Sequence, residues 1–118
     1  MKNKEINELT NRLKSFSAAR NWEQFHSPKN LVMALSGEVG ELTEHFQWLT
    51  EEQSYLVNDP ESLEEVKEEL ADVLLYLLQL SDKLGVDIIK SASKKIDANE
   101  QKYPVALSKG SATKYTKL

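Results

Sequence analysis

Four carboxylates stand out by their spacing. Glu38 and Glu41 in GEVGEL lie three residues apart, as do Glu69 and Asp72 in EELAD, and both pairs sit among the apolar residues Val39, Leu42, Leu70 and Val73. Residues three apart on a helix occupy one face, a turn apart. A single acidic pair of this kind ordinarily faces water. Here the flanks argue for a site. At about 100° per residue, Glu38 lies roughly 60° from the centre of the apolar stripe around it. Glu69 and Asp72 share their side of a helix with Val73, Tyr76 and Leu80. Ionised carboxylates gathered in a partly covered place repel one another, and a cation relieves that conflict.

The donor set narrows the cation. All-oxygen ligands suit magnesium, manganese or calcium. No Asp/Asn-rich loop of the EF-hand type is present. Helical E-x-x-E and E-x-x-D pairs suit Mg2+, with Mn2+ as the second choice, because magnesium keeps several waters and is completed by substrate phosphates. A di-iron site in a bundle would need two Glu-x-x-His units. The chain offers one, Glu23 to His26.

Four helices must position these acids. Ile6, Leu9, Leu13 and Phe16 recur at helical spacing and predict a first helix from about Lys4 to Ala19. The stretch RNWEQFHSP is less regular. Ser27 then Pro28 reads as a cap followed by a first-turn proline. They open a second helix with Leu31, Leu35, Val39, Leu42 and Phe46 on one side, ending near Trp48. Asp59-Pro60 repeats the start signal. The third helix runs to about Leu84, with Val66, Leu70, Val73, Leu74, Leu77 and Leu78 inward and Gly85 as its stop. Asp87 caps a fourth, which ends before Pro104. Gly37 and Gly40 flank Glu38; either they admit another helix or a ligand, or they only weaken the helix. The expected fold class is all-α, a four-helix bundle-like subunit over residues 1–104, with a polar basic tail over 105–118.

Composition bounds the function. A chain of 118 residues fits one modest core. It has no cysteine, so thiolate metal sites and disulfides are excluded, and a cytoplasmic location is expected. The opening MKNKEINELT lacks the apolar run of a signal peptide. The longest apolar stretch, Val73–Leu80, is too short to span a bilayer, so no membrane partner is expected. The net charge of −4 conceals an asymmetry. Residues 38–72 hold twelve acids and one base, Lys67, whereas 83–118 hold eight lysines and three acids. Such blocks are usually solvated faces, yet they also supply what a metal–phosphate site draws on. No dense basic stripe points to nucleic acid.

Aromatic residues bracket the acids. Trp22, Phe25 and His26 precede the second helix, Trp48 ends it, and Tyr76 lies one turn past Asp72. Core packing is the ordinary role of a tryptophan. At helix ends beside polar residues, Trp22 and Trp48 could instead stack a planar base. His26 reads first as a structural hydrogen-bonding residue. With no P-loop present, a nucleotide would be held by metal and side chains, the lysines near the fourth helix among them.

Taken together, the acid pairs, the segments RNWEQFHSPKNLVMALSGEVGELTEHFQW and EELADVLLYLL, and the later KIDANEQKYP and KGSATKYTKL resemble the MazG-like superfamily. These are the all-α nucleoside triphosphate pyrophosphohydrolases, and the similarity is to their dCTP-hydrolysing branch, from about Leu13 to Leu118. The resemblance implies a homotetramer that cleaves dCTP, and cytosine-modified dCTP, to the monophosphate and pyrophosphate, clearing the nucleotide pool. By position it implies that Glu38, Glu41, Glu69 and Asp72 hold magnesium and carry catalysis. It implies that Trp22, His26, Trp48 and Tyr76 line the base and sugar pocket. Lys95, Asp97 and Asn99 would contact the nucleotide from the fourth helix. Leu13 stands where animal members carry a pocket histidine, a departure that bears on base selectivity. Two other readings compete: a preference for other triphosphates, and a non-catalytic helical interaction module.

Overall fold

A computed structural model describes residues 3–118. Its helices are α1 (Lys4–Ala19), α2 (Pro28–Glu44), α3 (Pro60–Lys83), α4 (Ile88–Lys102) and the short α5 (Val105–Ser108). No strand occurs among the described residues, and the fold class is all-α. The start signals act as capping chemistry predicts. Ser27 Oγ accepts from the Asn30 amide at 3.2 Å, Asp59 Oδ1 from Ser62 at 3.1 Å, and Asp87 Oδ1 from Lys90 at 3.1 Å. Gly85, at φ +66°, takes the left-handed conformation that ends α3.

The chain forms two compact units, residues 1–85 and 86–118. In the first, α3 packs against both α2 and α1. Leu31, 1 % exposed, is its most deeply buried side chain, joined by Leu56, Val66 and Leu78. Leu56 reaches the core from the α2–α3 connection at φ +56°, a left-handed conformation that disfavours a residue with a side chain and that its burial helps offset. In the second unit, the Tyr115 ring meets Tyr103 edge-on at 5.9 Å, with the Lys102 ammonium 4.8 Å from its centre. The segment after Pro104 therefore folds back on the end of α4.

Two expectations are corrected. Regular α2 ends at Glu44 rather than near Trp48, because the ladder tightens there to His45→Leu42 and Phe46→Thr43 bonds. Leu70 and Leu74 are exposed rather than inward, Leu70 by 53 %, and Val39 on the apolar side of α2 is exposed as well. Helix α3 is apolar around more of its circumference than α1 and α2 cover. Leu63, Leu70 and Leu74, at i, i+7 and i+11, form an uncovered stripe. Truncation separates the two classes of leucine. Leu31→Ala should lower unfolding free energy by about 3 kcal/mol in urea titrations through cavity creation; a loss below 1 kcal/mol would contradict its place in the core.

Candidate functional site

Packing of α2 on α3 brings three of the four acids together. Glu38 and Glu41 stand one turn apart on α2 and Glu69 faces them from α3, with one carboxylate oxygen of each within 4.8 Å of the others. Glu38 Oε2 and Glu69 Oε2 are buried and have no hydrogen-bond donor. None of the ion pairs among the described residues involves these acids. Burial, the neighbouring Glu69 carboxyl and the charges of Glu41 and Asp72 push Glu38 from its ordinary 4.5 up to about 7. Burial also raises Glu69, helped by Glu41 and Asp72. Two carboxyls can bond each other only while one keeps its proton, so the ionised cluster is left in open conflict.

Asp72 lies outside the three-oxygen group, close enough to raise both buried glutamates by its charge. It also lines a cleft of about 880 Å³ beside the cluster, together with Leu13, Phe16, Trp22, His26 and Tyr76. Three of the four expected aromatic and histidine residues thus meet on one cavity wall with the fourth acid. His26, remote in sequence from the carboxylates, is brought by the fold to the cleft that Asp72 also lines. Leu13, where a histidine was noted as missing, lies on the same wall.

The position of Trp22 follows from how α1 ends. Asn21 adopts φ +53°. The Trp22 amide then donates to Ser17 O at 2.9 Å and the Asn21 amide to Ala18 O at 3.1 Å, the paired bonds of a Schellman ending. That ending favours an apolar contact from the second residue past the cap back to the last turn. Trp22 makes it with Phe16, rings 5.6 Å apart at 72°, while the Arg20 guanidinium lies 3.7 Å over the Phe16 ring. Trp22 is thereby fixed yet stays 43 % exposed toward the cleft. The stretch RNWEQFHSP shows no regular period. Asn followed by Trp just after the helical pattern was the available signal.

One expected aromatic residue of the first unit is not gathered here. Trp48 is 87 % exposed in the turns after α2 and lines no part of the cleft. Lys95, Asp97 and Asn99 are exposed on α4, in the second unit. A side chain added at Gly37 or Gly40 would meet nothing within 4 Å, so among the described residues no other helix of the first unit packs closely on them. Arg12, and Gln79 one turn past Tyr76, also lie on the cleft, though neither stands out in the sequence.

The three-carboxylate cluster suits a hard divalent cation. Its donors are all oxygen, their separation allows shared coordination, and two buried oxygens lack any donor. Among the described residues no helix is long and apolar enough to cross a membrane.

Comparison with known proteins agrees with the sequence resemblance. A model of the MazG-like family matches residues 33–118. The chain is 50 % identical over 104 residues to dCTP pyrophosphatase 1 of Rattus norvegicus, a span of 87 % of this chain and 61 % of that protein. It is 46 % identical to dCTP pyrophosphatase 1 of Homo sapiens over the same shares. The chain thus spans about three fifths of the length of these relatives. The crystal structure of a pyrophosphatase from Archaeoglobus fulgidus superposes with a TM-score of 0.80 at 39 % identity, over 88 % of this chain and 96 % of that one. The family match covers most of the chain, acid pairs included, and the chain belongs to the MazG-like family.

Proposed function

We propose that this protein is a magnesium-dependent nucleoside triphosphate pyrophosphohydrolase that cleaves dCTP, and cytosine-modified dCTP, to the monophosphate and pyrophosphate. The observation that carries the reading is the carboxylate cluster of Glu38, Glu41 and Glu69, two of whose oxygens are buried without a donor, beside a cleft able to hold a nucleoside. The likeness to dCTP pyrophosphatases in rat and human supports the choice of substrate. Absence of cysteine suits a reducing cytoplasm.

Glu38, Glu41 and Glu69, with Asp72 at their edge, would hold the cation, which supplies neutralising charge to the phosphate oxygens when bound. Glu41, the exposed member, orients a water and takes its proton. The water oxygen bonds to the α-phosphorus, the bond from that phosphorus to the α,β-bridging oxygen breaks, and pyrophosphate leaves. Trp22 and Tyr76 flank the base, with His26 at the sugar. Trp48, Lys95, Asp97 and Asn99 are assigned as further nucleotide contacts on chemistry alone: an exposed ring for stacking, and charge and amide groups for phosphate and sugar. The protein acts as a homotetramer in which the uncovered stripe of Leu63, Leu70 and Leu74 meets a second copy.

Chromatography of products from each deoxynucleoside triphosphate with magnesium should give dCMP and pyrophosphate chiefly from dCTP, abolished by chelation; release of inorganic phosphate alone would sink the reaction assignment. Glu41→Gln should keep the fold and lose about 10²-fold or more in turnover, and a variant at wild-type rates would remove Glu41 from its role.

The raised carboxyls give a second test. A folded-state pKa above the ordinary one means the folded chain binds more protons in between, so stability falls as pH rises. For Glu38 the favourable contribution is complete below about 4.5 and lost as pH passes about 7. The melting temperature of metal-free protein should fall across that window, less steeply in Glu38→Gln, and divalent cation should restore it at pH 7.5. A cation-independent melting temperature would count against the metal site.

Light scattering should report a tetramer, and Leu70→Asp should dissociate it by burying an unpaired charge. A wild-type monomer would refute the assembly.

A further inference from the structure

The far end of the cleft carries a residue with no assigned role. Gln79 lies seven residues past Asp72 on α3, about 10 Å along the axis at 1.5 Å per residue. Glu69, Asp72, Tyr76 and Gln79 follow at i, i+3, i+7 and i+10, within one side of the helix. A nucleotide with its phosphates at the acids and its base against Tyr76 has the outer edge of that base near Gln79. The residue stands between the cleft and a small polar cavity of about 40 Å³ that it shares with His26.

The orientation of its amide is set by the helix. Gln79 Nε2 donates to the Leu75 carbonyl oxygen at 3.3 Å. Turned over, the amide would place oxygen against oxygen. In the observed orientation Oε1 accepts no hydrogen bond among the described residues, and the second Nε2 hydrogen is also unused. Gln79 thus offers an acceptor and a donor side by side, in a fixed order.

That order matches one pyrimidine and opposes the other. Cytosine presents an exocyclic amino donor next to the N3 acceptor. Uracil and thymine present a carbonyl acceptor next to an N3 hydrogen, the reverse pattern. In the same register, pairing with O4 and N3 of uracil would require the amide to turn over and give up Leu75 O. Resting on the nucleotide pyrophosphohydrolase reading above, we propose that Gln79 is the specificity-determining residue for the base. It accepts from the cytosine amino group through Oε1 and donates to N3 through Nε2.

Equilibrium binding of dCMP and dUMP tests this without turnover. Isothermal titration on the wild-type protein should favour dCMP by about tenfold or more. Gln79→Leu and Gln79→Ala should bring the two near parity through weaker dCMP binding. The bond to Leu75 O duplicates a carbonyl already in the helix ladder, so both variants should fold, which circular dichroism checks. In steady state, the kcat/KM ratio of dCTP to dUTP should collapse likewise, chiefly through KM for dCTP. Unchanged dCMP preference in both folded variants would overturn the proposal, and with dCTP still hydrolysed the enzymatic reading would survive it. Loss of preference in the variants of a protein that hydrolyses no triphosphate would uphold the base contact and overturn the enzymatic reading instead.

Discussion

The contact of α2 with α3 forces Glu38, Glu41 and Glu69 into one place, and most of the site follows from that enforced crowding. Helix packing is driven by Leu31, Val66 and Leu78, and it is indifferent to what the carboxylates would prefer. Two glutamate oxygens end up buried without a donor, an arrangement a protein with no use for it has little reason to keep. The hydrophobic contact holds the charges in conflict, and the conflict is what makes the place ready for a divalent ion. A site so built needs no loop to organise it. Its parts stand on two rigid helices, which hold side chains more precisely than loops do.

Much of this was legible in the sequence because it depends on local chemistry. Ser27-Pro28, Asp59-Pro60, Asp87 and Gly85 mark helix ends through their own hydrogen bonds and dihedral angles, and each does so in the fold. The acid pairs were legible for the same reason: spacing on a helix needs no tertiary information. What the pattern could not reveal is which partner covers an apolar residue. Val39, Leu70 and Leu74 obey the helical period as well as Leu31 does, yet they are exposed. Periodicity says that a face is apolar, not whether the same chain covers it. Likewise the α1 stripe is legible as an apolar face, but the period does not say that Leu9, Leu13 and Phe16 wall a cleft.

The aromatic side of the site shows a third kind of information, hidden in a helix ending. Trp22 was noticed as an aromatic near polar residues. Its position depends on Asn21, whose side chain does nothing at the site. By taking a left-handed conformation, Asn21 lets α1 close its last carbonyls with the Trp22 and Asn21 amides and lays the indole against Phe16. A backbone event thus places an aromatic wall of the cleft. Arg20 stacks on the same Phe16 ring and donates to its carbonyl at 3.1 Å, so the aromatic wall is braced from two sides before any ligand arrives.

Helix α3 links the two chemistries. Its Glu69 belongs to the charged cluster, Asp72 borders both cluster and cleft, and Tyr76 and Gln79 continue along the cleft wall. A nucleotide reading those residues in order would be measured against a helix whose rise is fixed at about 1.5 Å per residue. The span from reacting phosphorus to base edge is then set by backbone geometry, and loop conformations have little part in it. Substitutions at the charged end should act on the reaction and those at the far end on the choice of base. The rigid helix between them transmits register and little else. Phosphate positioning and base selection would then be separable properties of one element.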